Sequence, residues 1–393
     1  MQIDPATLRG DWSYPTRVRF GPGRIAELAQ ACRELGMARP LLVTDPGLAE
    51  LAMVKDALAR NQDAGLPTAL FSDVKGNPVV ANVDAGVAAY REAGCDGVIA
   101  FGGGSGLDAA KAVALMVGQT RPIWDFEDRE DWHTRANAEG IAPVVAVPTT
   151  AGTGSEVGRA AVITDPESHT KKIIFHPRML PGIVVSDPAL TVGLPPHITA
   201  ATGMDALAHN LEAYCALGFH PMADGIALEG VRLIREWLPA AVRDGADLAA
   251  RAHMLAAASM GAAAFQKGLG AIHALSHPIG AVHDTHHGLT NAVVMPYVLA
   301  FNRPAIEQRM TRLAAYLGLP DPSFDAVQGW ILDLREEIGI AHTLAGLGIG
   351  EAHVDALVPM AAADPSCGGN PVPIGEPELR RMFLMAINGE LTA

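Results

Sequence analysis

Cysteine and positive charge are both scarce in this chain of 393 residues. Its four cysteines (Cys32, Cys95, Cys215 and Cys367) lie far apart, and no CxxC pair occurs. This spacing argues against a disulfide framework and a structural zinc knot, and it favours a reducing, cytoplasmic setting. The chain has 29 lysines and arginines and 43 aspartates and glutamates, which gives a formal charge of −14. Nucleic acid and anionic membranes repel such a protein, so neither is expected as a partner.

Long hydrophobic runs are also lacking. The first twenty residues are too polar for a signal peptide, and no uncharged apolar run reaches the roughly 18 residues that a transmembrane helix needs. Hydrophobic residues still make up 49% of the chain, which is ample material for buried cores. The length fits two domains better than one.

The first half of the chain alternates between strand and helix patterns. Helical spacing, as in RIAELAQACRELG (24–36), separates apolar runs that are typical of buried strands. These runs cover residues 18–20, 40–45, 68–73, 96–105 and 144–150. The alternation predicts an α/β domain, residues 1–194, with a Rossmann-like parallel sheet. Beyond it the patterns are helical, as in TGMDALAHNLEAYCAL, and they predict an all-α domain of residues 195–393.

Two glycine-rich segments follow predicted strands. GGGSGLDAAK (102–111) places Gly102, Gly103, Gly104 and Ser105 before a helix, whose N-terminal amides suit a phosphate. It is not the GxGxxG pattern, and alone it also fits a plain tight turn. PTTAGTGSE (148–156) adds small hydroxyls that suit a pyrophosphate or a ribose. Two such loops together favour nucleotide binding. The hydroxyl residues of the second loop are Thr149, Thr150, Thr153 and Ser155.

Asp45 ends the predicted strand LLVTD and has two interpretations. Its carboxylate could bind the ribose 2′-hydroxyl of NAD and repel the 2′-phosphate of NADP. In the sequence DPGLAE it is equally the expected N-cap of a helix with proline at the first position.

Histidines cluster in HALSHPIGAVHDTHHG (273–288), which holds five of the 14 in the chain. Helical spacing of four joins three pairs of metal-capable residues. These pairs are Asp205 with His209, His273 with His277, and His283 with His287. Imidazoles with one carboxylate suit Fe²⁺ or Zn²⁺, and such an ion would polarise a substrate oxygen. Scattered polar histidines are the alternative, and spacing alone does not choose four ligands among six residues.

These motifs together resemble the iron-dependent (group III) alcohol dehydrogenases. The similarity covers most of the chain and rests on GGGSGLDAAK, PTTAGTGSE, GMDALAHNLEAY, HALSHPIGAVHDTHHG and SCGGNP (366–371), in matching order and separation. It implies the two-domain, dehydroquinate synthase-like architecture and an assembly of identical subunits, dimeric or larger. It also implies hydride transfer between a small alcohol or aldehyde and NAD.

The resemblance implies roles for individual residues. The metal, Fe²⁺ or alternatively Zn²⁺, would be bound by Asp205, His209, His273 and His287, with His277 as a proton relay near the nicotinamide. The dinucleotide would be bound by Gly102, Gly103, Gly104, Ser105, Asp108, Thr149, Thr153 and Lys172. Asn77 would line the cofactor, and Asp45 matches the acid associated with NAD preference. His283 and His286 are expected to be incidental. Many relatives have proline where this chain has His286, whose imidazole next to His287 makes it the alternative ligand.

A subgroup is indicated by ADGIALEG, AFQKGLGAIHALSHPIG and GLTNAVVMPYVLAFN, which are similar to 4-hydroxybutyrate dehydrogenases. A carboxylate substrate would need a cation, and Lys267 is a candidate, although a solvated lysine at a helix end is the simpler interpretation. Phe265 could line the substrate pocket or pack in the core.

Three other functions fit parts of the pattern. A dehydroquinate synthase-like lyase would show a cluster of lysines and arginines for a substrate phosphate, and none surrounds the histidines. Glycerol dehydrogenase-like enzymes use zinc with fewer protein ligands than the one aspartate and three histidines here. A non-catalytic metal-binding protein would have no use for two nucleotide loops.

Overall fold

The computed structural model describes residues 16–168 and 170–391. The remaining residues of the two predicted domains (1–15, 169, 392 and 393) lie outside this description. The chain divides into two compact units, and the boundary along the sequence lies between Gly193 and Leu194. Along the described residues, no helix is both long and apolar enough to cross a membrane.

The first unit is built on a six-stranded parallel sheet, as predicted. Its strands are β1 (Arg17–Phe20), β2 (Pro40–Val43), β3 (Ala69–Phe71), β4 (Gly97–Gly102), β5 (Val144–Pro148) and β8 (Ile183–Ser186). Their order across the sheet is β1-β8-β5-β4-β2-β3, and all five pairings are parallel. The central strands β4 and β5 are buried along their whole length, which explains their unbroken apolar sequences.

The helices of this unit connect the strands. They are α1 (Leu28–Glu34), α2 (Pro46–Ala49), α3 (Ala52–Asp63), α4 (Val80–Glu92) and α5 (Gly104–Met116). Leu28 and Cys32 of α1 pack with Phe101 and Val147 of the central strands in one apolar core. The glycine-rich turn lies between β4 and α5, so the N-terminus of α5 is at the end of a central strand.

Three strands of this unit were not predicted. β6 (Ala160–Asp165) and β7 (Thr170–Phe175) form an antiparallel hairpin in which Ile163 lies opposite Lys172. The hairpin lies outside the main sheet and its residues are mostly half-buried, so its sequence lacks a continuous apolar run. The third, β8, is only four residues long.

The second unit is helical, in agreement with the predicted fold class. Its helices are α6 (Pro196–Cys215), α7 (Pro221–Arg243), α8 (Leu248–Ala264), α9 (Ala271–His283), α10 (His287–Tyr316), α11 (Phe324–Glu337), α12 (Val354–Ala362) and α13 (Glu376–Asn388). α6 packs against α7, α8 and α10, and nearly every residue from Thr199 to Cys215 is buried. Polar side chains on α6 therefore need partners inside the protein.

Candidate metal centre and nucleotide loops

Three of the predicted metal ligands meet in the helical unit. One side-chain atom from each of Asp205, His273 and His287 lies within 4.8 Å of the other two. Asp205 comes from the middle of α6, His273 from the first turn of α9, and His287 from the first residue of α10. His287 Nε2 is 3.6 Å from Asp205 Oδ1.

His209, the fourth predicted ligand, lies beside this group. Its side chain is buried, and its ring stacks on that of His273 with centroids 4.7 Å apart. The ring of Phe265 lies 5.1 Å away on another side. Among the described residues, the group of donor atoms within 4.8 Å of one another comprises the other three ligands.

The side chain of Asn291 contacts all three donor atoms. Its side-chain amide nitrogen, Nδ2, is 2.8 Å from Asp205 Oδ1 and 3.2 Å from Nε2 of both His273 and His287. The lone pairs of one carboxylate oxygen and two imidazole nitrogens therefore converge on a small region. This convergence is what a divalent cation of the iron or zinc type requires.

Gly288 permits the close packing of α10 on α6 at this site. A β-carbon at position 288 would lie 2.4 Å from the backbone oxygen of Ala201 and 2.9 Å from Cβ of Asp205. Only glycine fits this approach without displacing the backbone that carries Asp205. The glycine of the HHG sequence thus permits the close approach of the two helices that carry the predicted ligands Asp205 and His287.

His277 has a carboxylate partner. Its Nδ1 is 2.7 Å from Asp364 Oδ2, and the backbone N–H of Ser366 donates to Asp364 Oδ1 at 2.8 Å. Burial alone would raise the pKa of Asp364, but the His277 imidazole and the Ser366 contacts lower it to about 2. Asp364 is therefore ionised and accepts a hydrogen bond from Nδ1, which leaves Nε2 as the nitrogen that can accept a proton.

The remaining histidines of the run have other contacts. His283 packs edge-on against His353, with ring centroids 4.7 Å apart. His286 is exposed and is the N-cap of α10, where its Nδ1 accepts a 3.4 Å hydrogen bond from the backbone of Leu289. Neither belongs to the group of donor atoms found among the described residues.

Glu212, which the sequence analysis did not single out, contacts the predicted ligand His273 directly. Its Oε2 is 2.6 Å from His273 Nδ1, and its Oε1 accepts the backbone N–H of Ile272 at 2.6 Å. Burial lowers the pKa of His273, but Glu212 outweighs it and the net shift is upward. Asn370, from the SCGGNP sequence, holds the start of α9 by accepting the Ala271 N–H at 3.2 Å.

Lys267 is not the solvated lysine of the simpler interpretation. Its side chain is only 1% exposed, and its ammonium group donates to the Asp224 carboxylate and to the backbone oxygen of Tyr214. To bind a substrate carboxylate, Lys267 would first have to leave Asp224. Phe265, by contrast, lies half-buried against His209, where it could line a substrate pocket.

In the α/β unit, the two predicted nucleotide loops touch each other. A β-carbon at Gly104 would lie 2.5 Å from Cγ2 of Thr153, and one at Gly103 would lie 3.2 Å from Cγ2 of Thr150. The backbone N–H of Thr149 donates to the Gly102 carbonyl at 2.9 Å. Glycine is needed at position 104 because this contact leaves no room for a side chain.

Asp108 and Lys111 hold the second loop on α5. Asp108 accepts hydrogen bonds from the Ser155 hydroxyl at 2.5 Å and from the Val162 N–H at 2.9 Å. The buried Lys111 ammonium donates to the carbonyls of Ser155 and Ala160, and burial lowers its pKa. The carboxylate predicted to bind cofactor thus also ties the two loops together.

Three further predicted cofactor residues lie around these loops. The Ser105 hydroxyl donates to the Gly76 carbonyl, which brings the Asn77 segment next to the glycine-rich turn. Asp45 is the N-cap of α2 and accepts the Leu48 N–H at 2.9 Å, so one of its two interpretations is confirmed. The cap uses one carboxylate oxygen, and the side chain is half-exposed.

Lys172, on β7, is paired with an acid. Its ammonium group is 2.7 Å from Asp165 Oδ2 and 4.6 Å from the centre of the Trp124 ring. The hydrogen bond from Lys172 lowers the pKa of Asp165 to about 2. The ammonium group of Lys172 is therefore held beside Asp165 and Trp124.

One carboxylate and two imidazoles that can hold a metal, in a chain that also has a parallel sheet and two glycine-rich loops, are features expected of a metal-dependent, nucleotide-binding enzyme. Residues 15–188 match the family described as iron-containing alcohol dehydrogenase. Residues 199–387 match the C-terminal domain of the Fe-containing alcohol dehydrogenase family. The chain belongs to the iron-containing alcohol dehydrogenase family, and its activity is NAD-linked alcohol oxidoreduction.

Individual relatives have related activities. A 4-hydroxybutyrate dehydrogenase of Cupriavidus necator is 41% identical over 382 residues, which cover 94% of this chain and 98% of that protein. The crystal structure of a 1,3-propanediol oxidoreductase, 35% identical, superposes with a TM-score of 0.90 and covers 95% of this chain and 98% of its own. A sulfoacetaldehyde reductase from Bifidobacterium kashiwanohense, solved with NAD⁺, is 30% identical with a TM-score of 0.86, covering 95% and 97%.

Proposed function

We propose that the protein is a metal-dependent dehydrogenase that moves a hydride between a primary alcohol and NAD, and that 4-hydroxybutyrate is the preferred alcohol. The convergence of Asp205, His273 and His287 carries the proposal, because those donor atoms share one focus. His209 joins them as the fourth ligand, from its buried position against His273. The bound metal, Fe²⁺ by family or alternatively Zn²⁺, supplies Lewis-acid polarisation of the alcohol oxygen.

His277 takes the proton in this proposal. Oxidation of the alcohol releases a hydride from the carbinol carbon to the nicotinamide and a proton from the hydroxyl. Asp364 holds Nδ1 of His277 at 2.7 Å, so Nε2 receives the proton. The negative charge of Asp364 also stabilises the imidazolium that results.

The dinucleotide is assigned to the paired loops of the α/β unit. The N-terminal amides of α5, beginning at Gly104, are suited to the pyrophosphate because the helix dipole and unpaired N–H groups favour an anion. The other proposed contacts are Asn77, Gly102, Gly103, Ser105, Asp108, Thr149, Thr150, Thr153, Ser155 and Lys172. Of these, Ser155 donates a hydrogen bond to Asp108. Lys172 would have to leave Asp165 to reach the cofactor.

Asp45 is proposed to select NAD over NADP by charge, and this role can be separated from its capping role. Asn caps a helix as well as Asp does, so Asp45→Asn removes the charge and keeps the hydrogen bond to Leu48. We expect the preference for NAD, measured as the ratio of kcat/KM values, to fall by about tenfold, or ~1.4 kcal/mol. The melting temperature should stay close to that of the wild type. If the ratio of kcat/KM values for NAD and NADP does not change, Asp45 has no role in cofactor selection and only caps α2.

The preference for 4-hydroxybutyrate is supported by similarity to the Cupriavidus necator enzyme over nearly the whole chain. The half-buried Phe265 beside His209 offers an apolar wall for the carbon chain of such a substrate. Lys267 would have to leave Asp224 to act as the partner of the substrate carboxylate.

The test of the proposed function is NAD⁺ reduction under anaerobic conditions by metal-free protein reconstituted with Fe²⁺, Zn²⁺, Mn²⁺ or Ni²⁺. Short alcohols, diols and ω-hydroxy acids serve as substrates. We expect metal-restored turnover, with kcat/KM for 4-hydroxybutyrate at least about tenfold above that for butanol. Higher activity with butanol or 1,3-propanediol would refute the hydroxy-acid assignment. Absence of turnover with every metal would refute the metal-dependent mechanism. A homo-oligomeric state and a cytoplasmic location stay predictions.

A further inference from the structure

Glu212 lies on the same buried helix as two of the ligands. It follows Asp205 by seven positions and His209 by three, which places all three on one face of α6. Its side chain is 7% exposed, so its carboxylate is almost out of water. A buried carboxylate needs hydrogen-bond donors to offset its lost hydration.

The two oxygens of Glu212 have two different donors from the start of α9. Oε1 accepts the backbone N–H of Ile272 at 2.6 Å, and Oε2 lies 2.6 Å from Nδ1 of His273, where an ionised carboxylate can only accept a hydrogen bond from a proton-bearing nitrogen. The first contact fixes where the carboxylate lies, and the second fixes which nitrogen of His273 carries the proton. With the proton on Nδ1, the lone pair is on Nε2, which is the atom nearest Asn291 and the other ligands.

We propose that Glu212 is a positioning residue that holds His273 in the Nδ1–H tautomer and so presents Nε2 to the metal. The inference rests on the proposed metal site. It extends that site by one residue that does not touch the metal, the substrate or the cofactor. Carboxylates that hold ligand histidines typically affect metal affinity by about 10- to 100-fold.

Glu212→Gln tests the proposal because it keeps the shape and removes one acceptor. If the Gln oxygen stays on the Ile272 N–H, its NH₂ group faces His273 Nδ1 and favours the opposite tautomer. That tautomer carries its proton on Nε2 and cannot ligate there. Glu212→Asp keeps both acceptor oxygens but withdraws them by one methylene group, so it should be less impaired than Glu212→Gln.

The measurement is the dissociation constant of Zn²⁺ and of Co²⁺ in the full-length, metal-stripped protein, obtained by competition with a chelator. Co²⁺ also reports the coordination through its visible absorption spectrum. We expect Glu212→Gln to weaken binding by about 10- to 100-fold and to change the Co²⁺ spectrum, with Glu212→Asp intermediate. Glu229→Gln is the matched control, because Glu229 accepts hydrogen bonds from Arg232 and Tyr316 elsewhere in the helical unit. It should leave both readouts unchanged.

Each outcome separates the inference from the proposed site. Wild-type affinity and an unchanged Co²⁺ spectrum in Glu212→Gln would overturn the inference, while loss of metal in His273→Ala would still support the site. Wild-type metal affinity in both Glu212→Gln and His273→Ala would overturn both the inference and the proposed metal site. Should the Glu212 variants fold poorly, nuclear magnetic resonance of ¹⁵N-histidine-labelled wild-type protein decides, with His273 assigned by its loss in His273→Asn. The spectra are recorded over a pH series that reaches the neutral imidazole, which carries one proton. A neutral ring with its proton on Nδ1 supports the inference, and one with its proton on Nε2 refutes it.

Discussion

His273→Ala should leave the protein without its metal and lower kcat/KM by at least about a thousandfold. His273 Nε2 is one of three donor atoms with a common focus, and alanine offers nothing in its place. Loss of the metal removes Lewis-acid stabilisation, which is worth several kcal/mol in such sites. Metal content after dialysis, measured by mass spectrometry, and the rate of NAD⁺ reduction check the two parts of this expectation.

His283→Ala is the control for that experiment. His283 lies on the same helix, α9, but its ring packs against His353, away from the donor group. Its loss should leave metal content and turnover near the wild-type values. A His273→Ala protein that keeps its metal would show that the ligand set is assigned wrongly.

His277→Ala should have a different effect, slowing turnover while the metal stays. We expect kcat to fall about a hundredfold or more, within the range for loss of a general acid–base group. His277 is outside the group of three donor atoms, and its Nδ1 is committed to Asp364 at 2.7 Å. The two measurements are kcat with saturating NAD⁺ and alcohol, and metal content of the same sample.

Asp364→Asn extends this test to the partner of His277. An asparagine at position 364 can still contact Nδ1 but supplies no charge to stabilise the imidazolium, so kcat should fall less than in His277→Ala. If His277→Ala loses the metal as readily as His273→Ala does, the proton-relay role is wrong and His277 belongs with the ligands.

Much of the fold was accessible from sequence because buried parallel strands and amphipathic helices leave strong patterns. The apolar runs around β2, β4 and β5 predicted the core of the sheet, and their burial accounts for this. The β6–β7 hairpin was missed because its partly exposed residues mix polar and apolar side chains. The helical pattern of α10 is hard to recognise before residue 305, because Pro296 and Pro304 interrupt it.

The partners of the site residues were harder to predict than the residues themselves. Glu212 is 61 positions from His273, and Asp364 is 87 positions from His277, so no local spacing connects either pair. Helical spacing did indicate that Glu212 lies near the predicted metal ligands, because it follows His209 by three positions on the same face of α6. Lys267 illustrates the reverse case, since its local sequence resembles a helix-end lysine and only the fold brings Asp224 to it.

The amide of Asn291 has a consequence for how the protein acquires its ion. A carboxylate oxygen and two imidazole nitrogens with facing lone pairs repel one another, and the NH₂ group that all three share offsets this repulsion. The three donor atoms are therefore held near one another by a contact within the helical unit, so an arriving ion would meet ligands already in place. Which divalent ion binds would then depend on the supply of each ion and on how well its preferred geometry fits these nitrogen and oxygen donors.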